Sequence, residues 1–182
     1  MVKDLKLSGL KLIELKQFHD DRGYFSERYV KERFEGYGLP ANFIQDNHSR
    51  SKPGVIRGLH YQTNPAQGKL VGVIRGRILD VAVDIRKDSS TFGQWEAVEL
   101  SDENGRLLWI PAGFAHGFCI MGDEPADVMY KVDAPYSPKT EGGIVFNDSE
   151  LKIEWPVKSP IVSGKDQALQ TFEQYSLNPV FS

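Results

Sequence analysis

The segment from Lys69 to Arg86, KLVGVIRGRILDVAVDIR, is the feature that most restricts what this chain can fold into. Branched apolar side chains recur through it, among them Ile78, Val81 and Val83. Such residues favour half-buried strands, in which successive side chains point to opposite faces of a sheet. Gly76 divides the segment, so we predict two neighbouring strands that meet at this glycine.

Shorter strand-like runs occupy much of the remaining chain and are separated by residues typical of turns. Lys52-Pro53-Gly54 and Pro111-Ala112-Gly113 are two such turns. Many short strands at this spacing favour an all-β sandwich or jelly roll. The further predicted strands are Leu10–Leu15, Val55–Tyr61, Trp95–Leu100, Arg106–Ile110, Phe118–Met121 and Val128–Val132, and the two predicted helices are Glu27–Glu35 and Lys165–Phe172.

Composition excludes several classes of protein. The formal net charge is −3, so the chain has no general basic field that would attract nucleic acid. No apolar run approaches the roughly 20 residues that a membrane helix requires, and the N-terminus lacks a signal peptide's continuous apolar core. Cys119 is the single cysteine, which excludes an intrachain disulfide. We therefore expect one cytoplasmic domain over 1–182, with no affinity for nucleic acid or membranes.

Two of the four histidines are the first candidates for chemistry. His60 lies near the end of a predicted strand, and His116 follows the turn at Pro111-Ala112-Gly113. Metal-binding barrels of this type usually place two histidines at alternate positions of one strand, where they share a face. Gln62 occupies the second of these positions, so we expect no metal site. A lone strand histidine is otherwise a hydrogen-bonded core residue.

Three basic residues lie close together in the sequence around His60. Arg57 and His60 are separated by two residues and would face opposite sides of a strand unless a bulge intervenes at Gly58. Lys69 begins the next predicted strand. This concentration suits an anionic ligand beside a base, although charge alone would equally fit an exposed basic strand edge.

Tyr130 and Asp166 carry weak signals when each is taken alone. Tyr130 alternates with Lys131, so the two side chains should face opposite ways, and an ordinary core aromatic is its simplest interpretation. Asp166 follows Ser163-Gly164-Lys165, where a helix cap or a surface carboxylate is the simplest interpretation.

Together, these segments resemble the dTDP-4-dehydrorhamnose 3,5-epimerase family, nucleotide-sugar epimerases of the cupin superfamily. The resemblance extends over most of the chain, and its specificity comes from many segments in one order. The matching segments are DRGYFSE at 21–27, QDNHS at 45–49, VIRGLHYQ at 55–62, QGKLV at 67–71, DVAVDIR at 80–86, WIPAGFAHGF at 109–118, YSP at 136–138, EGGI at 141–144 and SGKD at 163–166.

The resemblance implies a fold, a reaction and partners. The implied fold is a jelly-roll (cupin-like) sandwich with short flanking helices, which forms a homodimer and needs no metal or organic cofactor. The implied reaction converts dTDP-4-dehydro-6-deoxy-glucose to dTDP-4-dehydro-L-rhamnose, a step of dTDP-L-rhamnose biosynthesis. It inverts C3 and C5, the two carbons beside the ketone.

The resemblance also implies catalytic roles for four residues. His60 matches the base that removes a proton beside the carbonyl, and Asp166 matches its partner carboxylate. Tyr130 matches the acid that returns a proton to the opposite face. Lys69 matches the group that stabilises the enolate oxygen.

The implied binding residues fall into three groups. Arg57 and Lys165 match positions that bind the substrate, and arginine suits a diphosphate. Tyr136 matches the aromatic residue that packs on the nucleobase. Arg22 and Glu27 match residues that the partner subunit supplies. The remaining matches are to polar positions that contact sugar, phosphate or base: Gln45, Asp46, Asn47, His116 and Glu141.

Some positions depart from the family pattern, and two other functions remain open. Tyr24 stands where phenylalanine is frequent, and Phe146 stands where tryptophan is common. The loop between His116 and Tyr130 looks longer by about one residue. A sister epimerase that acts at C3 or C5 only, or a sugar ketoisomerase, would reuse the same pocket. A non-catalytic carbohydrate-binding jelly roll would need the pocket but not the set formed by His60, Tyr130 and Asp166.

Overall fold

The polypeptide forms two facing β-sheets in the computed structural model, which describes all 182 residues. Three short helices and one small hairpin flank the sheets. The strands are β1 Val2–Asp4, β2 Lys11–Glu14, β3 Phe18–Asp20, β4 Gly23–Phe25, β5 Gln45–Ser51, β6 Ile56–Gln62, β7 Lys69–Arg75, β8 Arg77–Asp84, β9 Trp95–Ser101, β10 Arg106–Ile110, β11 Phe114–Met121, β12 Ala126–Val132 and β13 Glu141–Gly143, and the helices are α1 Lys31–Gly36, α2 Gly164–Gln167 and α3 Phe172–Leu177.

The sheets have the strand order of a jelly roll. One sheet has six strands in the order β1-β2-β10-β7-β12-β5, and the other has five in the order β13-β6-β11-β8-β9. Their pairings are antiparallel. Several strands that follow each other in sequence, such as β7 and β8, lie in different sheets, and the two sheets form the two layers of one sandwich. The predicted jelly-roll sandwich is confirmed.

Alternation along the strands divides the interior into an apolar part and a polar part. Val71 and Val73 of β7 and Ala126 and Val128 of β12 point inward and join the core between the sheets. The same alternation directs Tyr130, two residues after Val128, to the interior. At this end of the sandwich polar side chains replace the apolar ones, and this change produces the cavity described below.

The predicted strands correspond closely to the observed ones, whereas the helices differ. Val30 adopts an extended backbone with φ −136°, so α1 begins at Lys31 and not at Glu27. The predicted helix Lys165–Phe172 is wrong as one element. Two short helices replace it, because Thr171 caps α3 with a reciprocal capping box and starts a new helix.

Strand β5 was not predicted, although it forms one wall of the cavity. Its sequence, QDNHSRS, contains no apolar residue, so the usual alternation signal is absent. Pairing with β12 over the whole length of β5 forms the strand despite its composition. No helix of the structure is long and apolar enough to cross a membrane.

Candidate active site

A cavity of about 690 Å³ lies between the two sheets at their polar end. Both sheets, the segment before β13 and helix α2 contribute side chains to it. A volume of this size suits a small organic ligand. The structure brings most of the predicted site residues to this one cavity: Gln45, Asn47, Arg57, His60, Lys69, His116, Tyr130, Tyr136, Glu141, Lys165 and Asp166.

His60 and Asp166 form a hydrogen-bonded pair. His60 Nε2 lies 2.8 Å from Asp166 Oδ1. The short helix α2 positions the carboxylate, because Ser163 Oγ accepts from the Asp166 amide and caps the first turn. Although burial acts to raise the pKa of Asp166, hydrogen bonds led by that from His60 outweigh it and lower this pKa. An ionised carboxylate that accepts from Nε2–H leaves Nδ1 of His60 as the unprotonated nitrogen.

A bulge at Gly58 brings Arg57 and His60 to the same cavity. His60 pairs with His116 of β11, whereas Arg57 pairs with Phe118, so β6 has one more residue than its partner strand in this interval. Gly58 has φ +112°, a region that L side chains rarely adopt. The bulge that the sequence suggested is therefore present, and Arg57 Nε donates to Ser51 Oγ at 3.0 Å.

Tyr130 lines the same cavity as His60. Its hydroxyl makes no hydrogen bond within the chain, so it is available to a ligand. Burial raises the pKa of Tyr130 above its usual value, and the nearby Arg57 only partly opposes this effect. The phenol is therefore protonated at neutral pH and can donate a proton. Lys131 faces the opposite side of the strand, where its ammonium bonds to Asp46.

Lys69 is the most buried cation of the cavity, with 9% of its surface exposed. Burial lowers its pKa to about 8, although the nearby carboxylates of Asp133, Glu141 and Asp80 act to raise it. Most of the population is then charged at neutral pH. A desolvated ammonium is well suited to stabilising an anion that develops nearby.

His116 lines the cavity, but its Nε2 is already hydrogen-bonded to a carboxylate of the chain. Nε2 lies 2.9 Å from Oδ1 and 3.0 Å from Oδ2 of Asp80, a fully buried carboxylate. Burial raises the pKa of Asp80, while His116 and Lys69 act to lower it. Nε2 is therefore not free for a ligand, and the contact between His116 and a ligand remains a prediction.

Three side chains form a cluster at the exposed end of the cavity. Tyr136 Oη and Lys165 Nζ both donate to Glu141 Oε2, at 2.9 and 2.6 Å. Burial acts to raise the pKa of Glu141, but these two hydrogen bonds outweigh it, and the pKa is lowered. Tyr136 is half-exposed, which leaves its ring accessible to a ligand.

Strand β5 presents alternate residues to the cavity, and one predicted site residue faces the other way. Gln45 and Asn47 point inward and bond to each other, Gln45 Nε2 donating to Asn47 Oδ1 at 2.8 Å. Asp46 points to the opposite face and bonds to Lys131. Because side chains alternate along a strand, Asp46 lies outside this cavity, unlike the predicted residues Gln45 and Asn47 on the same strand.

Arg22 and Glu27 lie outside the cavity of their own chain. Arg22 is at the tip of the β3–β4 hairpin, where its guanidinium pairs with Asp20 and is 89% exposed. Glu27 pairs with Arg33. Both positions are compatible with the expectation that these residues serve a partner subunit, which remains a prediction.

Sequence reasoning missed two polar residues that line the cavity and one carboxylate buried behind its wall. Asp80 alternates with Ile78 and Ala82, both core residues, and a carboxylate in that inward register was a signal available in the sequence. Gln62 was considered only for its lack of metal-binding capacity, yet it is buried and lines the cavity. Ser49 also lines it, and its hydroxyl has no hydrogen-bond partner.

The arrangement is that of an acid–base site with an anion-stabilising group. Three groups share one cavity: the imidazole of His60, which Asp166 orients, the protonated phenol of Tyr130 and the buried ammonium of Lys69. Such a set can remove a proton beside a carbonyl, stabilise the resulting enolate and deliver a proton elsewhere. Groups of three or more His, Cys, Asp or Glu side chains arranged to hold a metal ion are not found.

The chain matches the family model described as dTDP-4-dehydrorhamnose 3,5-epimerase over residues 4–174. It is 53% identical to a protein of that name from Shigella flexneri, in an alignment covering 88% of this chain and 90% of the relative. It is 39% identical to a Streptomyces niveus protein named dTDP-4-dehydrorhamnose 3-epimerase, over 91% of this chain and 81% of the relative.

A solved structure agrees with these matches. The Legionella pneumophila dTDP-6-deoxy-D-glucose-3,5-epimerase, crystallised with dTDP-4-keto-L-rhamnose, superposes with a TM-score of 0.91 at 46% identity. The match covers 95% of this chain and 93% of that protein. By the family model and these relatives, the chain belongs to the dTDP-4-dehydrorhamnose 3,5-epimerase family.

Proposed function

We propose that this protein is an isomerase that inverts C3 and C5 of dTDP-4-dehydro-6-deoxy-glucose to give dTDP-4-dehydro-L-rhamnose, in dTDP-L-rhamnose biosynthesis. The observation that carries the proposal is the meeting of His60 and Tyr130 in one cavity, with Asp166 bonded to the imidazole. The names of the relatives give the substrate, and the cavity supplies the acid and base that this chemistry requires.

The first step removes a proton from a carbon beside the C4 ketone. His60 accepts this proton at Nδ1, the C–H bond breaks, and its electron pair forms the enolate. Asp166 holds the imidazole through Nε2 and stabilises the positive charge that the ring acquires. Lys69 provides the ammonium opposite the negative enolate oxygen.

The second step returns a proton to the opposite face of the same carbon. Tyr130 donates its phenolic proton, the new C–H bond takes the electron pair of the enolate, and the ketone is restored. His60 has then gained a proton and Tyr130 has lost one, so both must exchange with solvent before the second carbon reacts. This balance predicts that hydrogen from solvent enters C3 and C5.

The nucleotide end of the substrate belongs at the exposed end of the cavity. Tyr136 offers an accessible ring for the base, while Arg57 and Lys165 offer cations for the diphosphate. We assign the remaining polar contacts to Gln45, Asn47 and Glu141, which line the same cavity. The proposal therefore assigns catalysis to the interior of the cavity and nucleotide binding to its opening.

We further propose that the protein acts in the cytoplasm as a homodimer that completes each site with Arg22 and Glu27 of the partner chain. The β3–β4 hairpin supports this proposal, because it carries Phe18, Tyr24 and Phe25 with exposures of 48%, 48% and 66%. Aromatic side chains exposed together on one hairpin are typical of an interaction surface.

Incubation with dTDP-4-dehydro-6-deoxy-glucose in heavy water, followed by NMR of the product, tests the proposal. We expect deuterium at both C3 and C5 and an L-rhamno product. His60→Ala should abolish this exchange, and exchange at the wild-type rate in that variant would refute the mechanism. Binding of dTDP without any exchange in the wild-type protein would instead indicate a non-catalytic binding jelly roll.

A second function is favoured by one specific comparison. The Streptomyces niveus relative is named a 3-epimerase, which shows that single epimerisation occurs at 39% identity to this chain. The same NMR experiment separates the two functions, because a single epimerase would leave the configuration of one of the two carbons unchanged. The higher identity to the 3,5-epimerase from Shigella flexneri favours inversion at both carbons.

A further inference from the structure

The segment that carries Tyr136 is held almost entirely by side chains. It follows β12 and has no regular secondary structure over Ala134–Ser137. None of the backbone–backbone hydrogen bonds of the structure involves Ala134, Pro135 or Tyr136. Backbone groups without such partners need side chains or water, so the position of this segment depends on the residues beneath it.

Gln62 supplies the largest share of these bonds. Its Oε1 accepts from the Ser137 amide at 2.7 Å, and its Nε2 donates to the Pro135 carbonyl at 3.0 Å. Nε2 also donates to the Pro65 carbonyl at 2.7 Å, which ties the amide to a second loop. The side chain thus bonds on both sides of Tyr136, and only 3% of its surface is exposed.

Two further glutamines extend the same support. Gln45 Oε1 accepts from the Tyr136 amide at 3.2 Å, and Gln67 Nε2 donates to the Ala134 carbonyl at 2.8 Å. The three residues come from β5, from β6 and from the residue pair before β7. Gln62 alone makes two bonds to the segment, and it lies two residues from His60 on the same strand.

The amide is the group that this position requires. One glutamine side chain presents an acceptor oxygen and two N–H donors, which matches one amide and two carbonyls. A carboxylate would face the Pro65 and Pro135 carbonyls with no donor, and a neutral imidazole has a single N–H. This requirement explains why glutamine stands where a metal-binding barrel would have its second histidine.

We propose that Gln62 is a positioning residue that fixes Tyr136 at the nucleotide end of the cavity and so determines the affinity for dTDP. This inference rests on the function proposed above, in which Tyr136 packs on the nucleobase. Gln62 does not touch the reacting carbons, so its effect should appear in binding and KM and should leave kcat nearly unchanged.

A double-mutant cycle with Tyr136 tests the proposal, with dTDP as the probe in calorimetry and the ketosugar nucleotide in kinetics. Gln62→Leu removes all three hydrogen bonds of the amide, so it should weaken dTDP binding and raise KM by about tenfold or more, with kcat within about threefold of wild type. In a Tyr136→Ala background, the same substitution should change dTDP affinity by less than about twofold.

Thr63→Val is a matched control. It removes a single side-chain hydrogen bond, to the Thr140 carbonyl, at the far end of the loop that carries Tyr136. It should leave dTDP affinity within about twofold of wild type. An equal loss in this control, additive effects in the cycle, or a fall in kcat without a change in KM would overturn the proposal. Unchanged affinity in Tyr136→Ala alone would instead refute the base-packing role in the proposed function.

Two measurements keep the proposal testable if Gln62→Leu does not fold. Gln62→Glu retains the acceptor for the Ser137 amide but loses both donors, and we expect weaker dTDP binding from it as well. In the wild-type protein, hydrogen exchange should show the amides of Tyr136 and Ser137 protected before any nucleotide is added. Rapid exchange of both amides in the free protein would contradict the proposed support.

Discussion

Asp166 holds His60 with one carboxylate oxygen and the bulge beside it with the other. Oδ1 lies 2.8 Å from His60 Nε2, and Oδ2 accepts from the Gly58 amide at 3.2 Å. The carboxylate therefore joins helix α2 to β6 at the point where the backbone departs from regular pairing. One side chain thus determines both the tautomer of the base and the strand geometry that presents it.

Asp166→Asn should lower kcat by roughly a hundredfold or more, the usual contribution of an oriented general base. The amide cannot accept Nε2–H and the Gly58 amide as a charged carboxylate does, so His60 loses the tautomer with a free Nδ1. Rates of deuterium uptake at C3 and C5 measure the effect. Asp88→Asn, on an exposed turn, is the matched control and should keep wild-type rates; near-normal uptake in Asp166→Asn would contradict the role of the pair.

Tyr130→Phe should separate proton removal from proton return. The substitution deletes only the hydroxyl, so the fold and the His60–Asp166 pair should be unaffected. We expect product formation to fall by about a hundredfold or more, while deuterium still enters the recovered substrate through His60. Tyr37→Phe deletes a hydroxyl that makes no hydrogen bond, and its activity should be normal. Full formation of the L-rhamno product by Tyr130→Phe would exclude this phenol as the acid.

The parts of the site that alternate with core residues were accessible from the sequence. Tyr130 follows Val128 on the inward face of its strand, and the apolar register therefore fixed its direction. The position of Asp166 was not accessible in this way, because a helix of four residues places it against a strand more than a hundred residues earlier. Only the family resemblance predicted that Asp166 pairs with His60.

Activity should decline as the pH rises through about 8, because burial lowers the pKa of Lys69 to about 8. The ammonium is the form that stabilises the enolate, and it is present below this pKa and lost above it. Burial raises the pKa of Tyr130 above its usual value, so the phenol titrates at higher pH and does not account for the decline. The pH profile of kcat/KM measures this decline on the alkaline side.

Lys69→Arg provides the corresponding test, because a guanidinium stays charged throughout this range. Its rate should be lower, since the larger group fits the buried position less well, but the decline near pH 8 should disappear. If the decline near pH 8 persisted unchanged in this variant, a group other than Lys69 would be responsible for it. Lys69→Met should lose most activity at every pH.

Gly58→Ala should destabilise the protein by about 2–5 kcal/mol, from backbone strain combined with overpacking. A Cβ at this position would lie 2.6 Å from both the Gly117 Cα and the His116 carbonyl oxygen, which are backbone atoms of β11. Thermal unfolding measures the loss. Gly36→Ala, where a Cβ meets nothing within 4 Å, should be nearly neutral. Equal melting temperatures for the two variants would show that the bulge tolerates a side chain.

The polar strand β5 and the support beneath Tyr136 show where sequence reasoning stopped. Strand β5 contains no apolar residue that would reveal the direction of Gln45 and Asn47, and only pairing with β12 determines it. The same pairing directs Asp46 away from the cavity. Buried glutamines such as Gln62 bond to loop backbone, and a sequence does not reveal which loop lies above a strand end.

Subunit complementation should reveal whether Arg22 acts on the partner's site. We expect His60→Ala and Arg22→Ala to be nearly inactive when each is assayed alone. In a mixed dimer, one cavity combines an intact His60 with an intact Arg22 from the other chain, whereas the second cavity lacks both. Random re-assortment of equal amounts should therefore restore roughly a quarter of wild-type activity. If Arg22 served its own chain, where it lies outside the cavity, mixing would restore nothing.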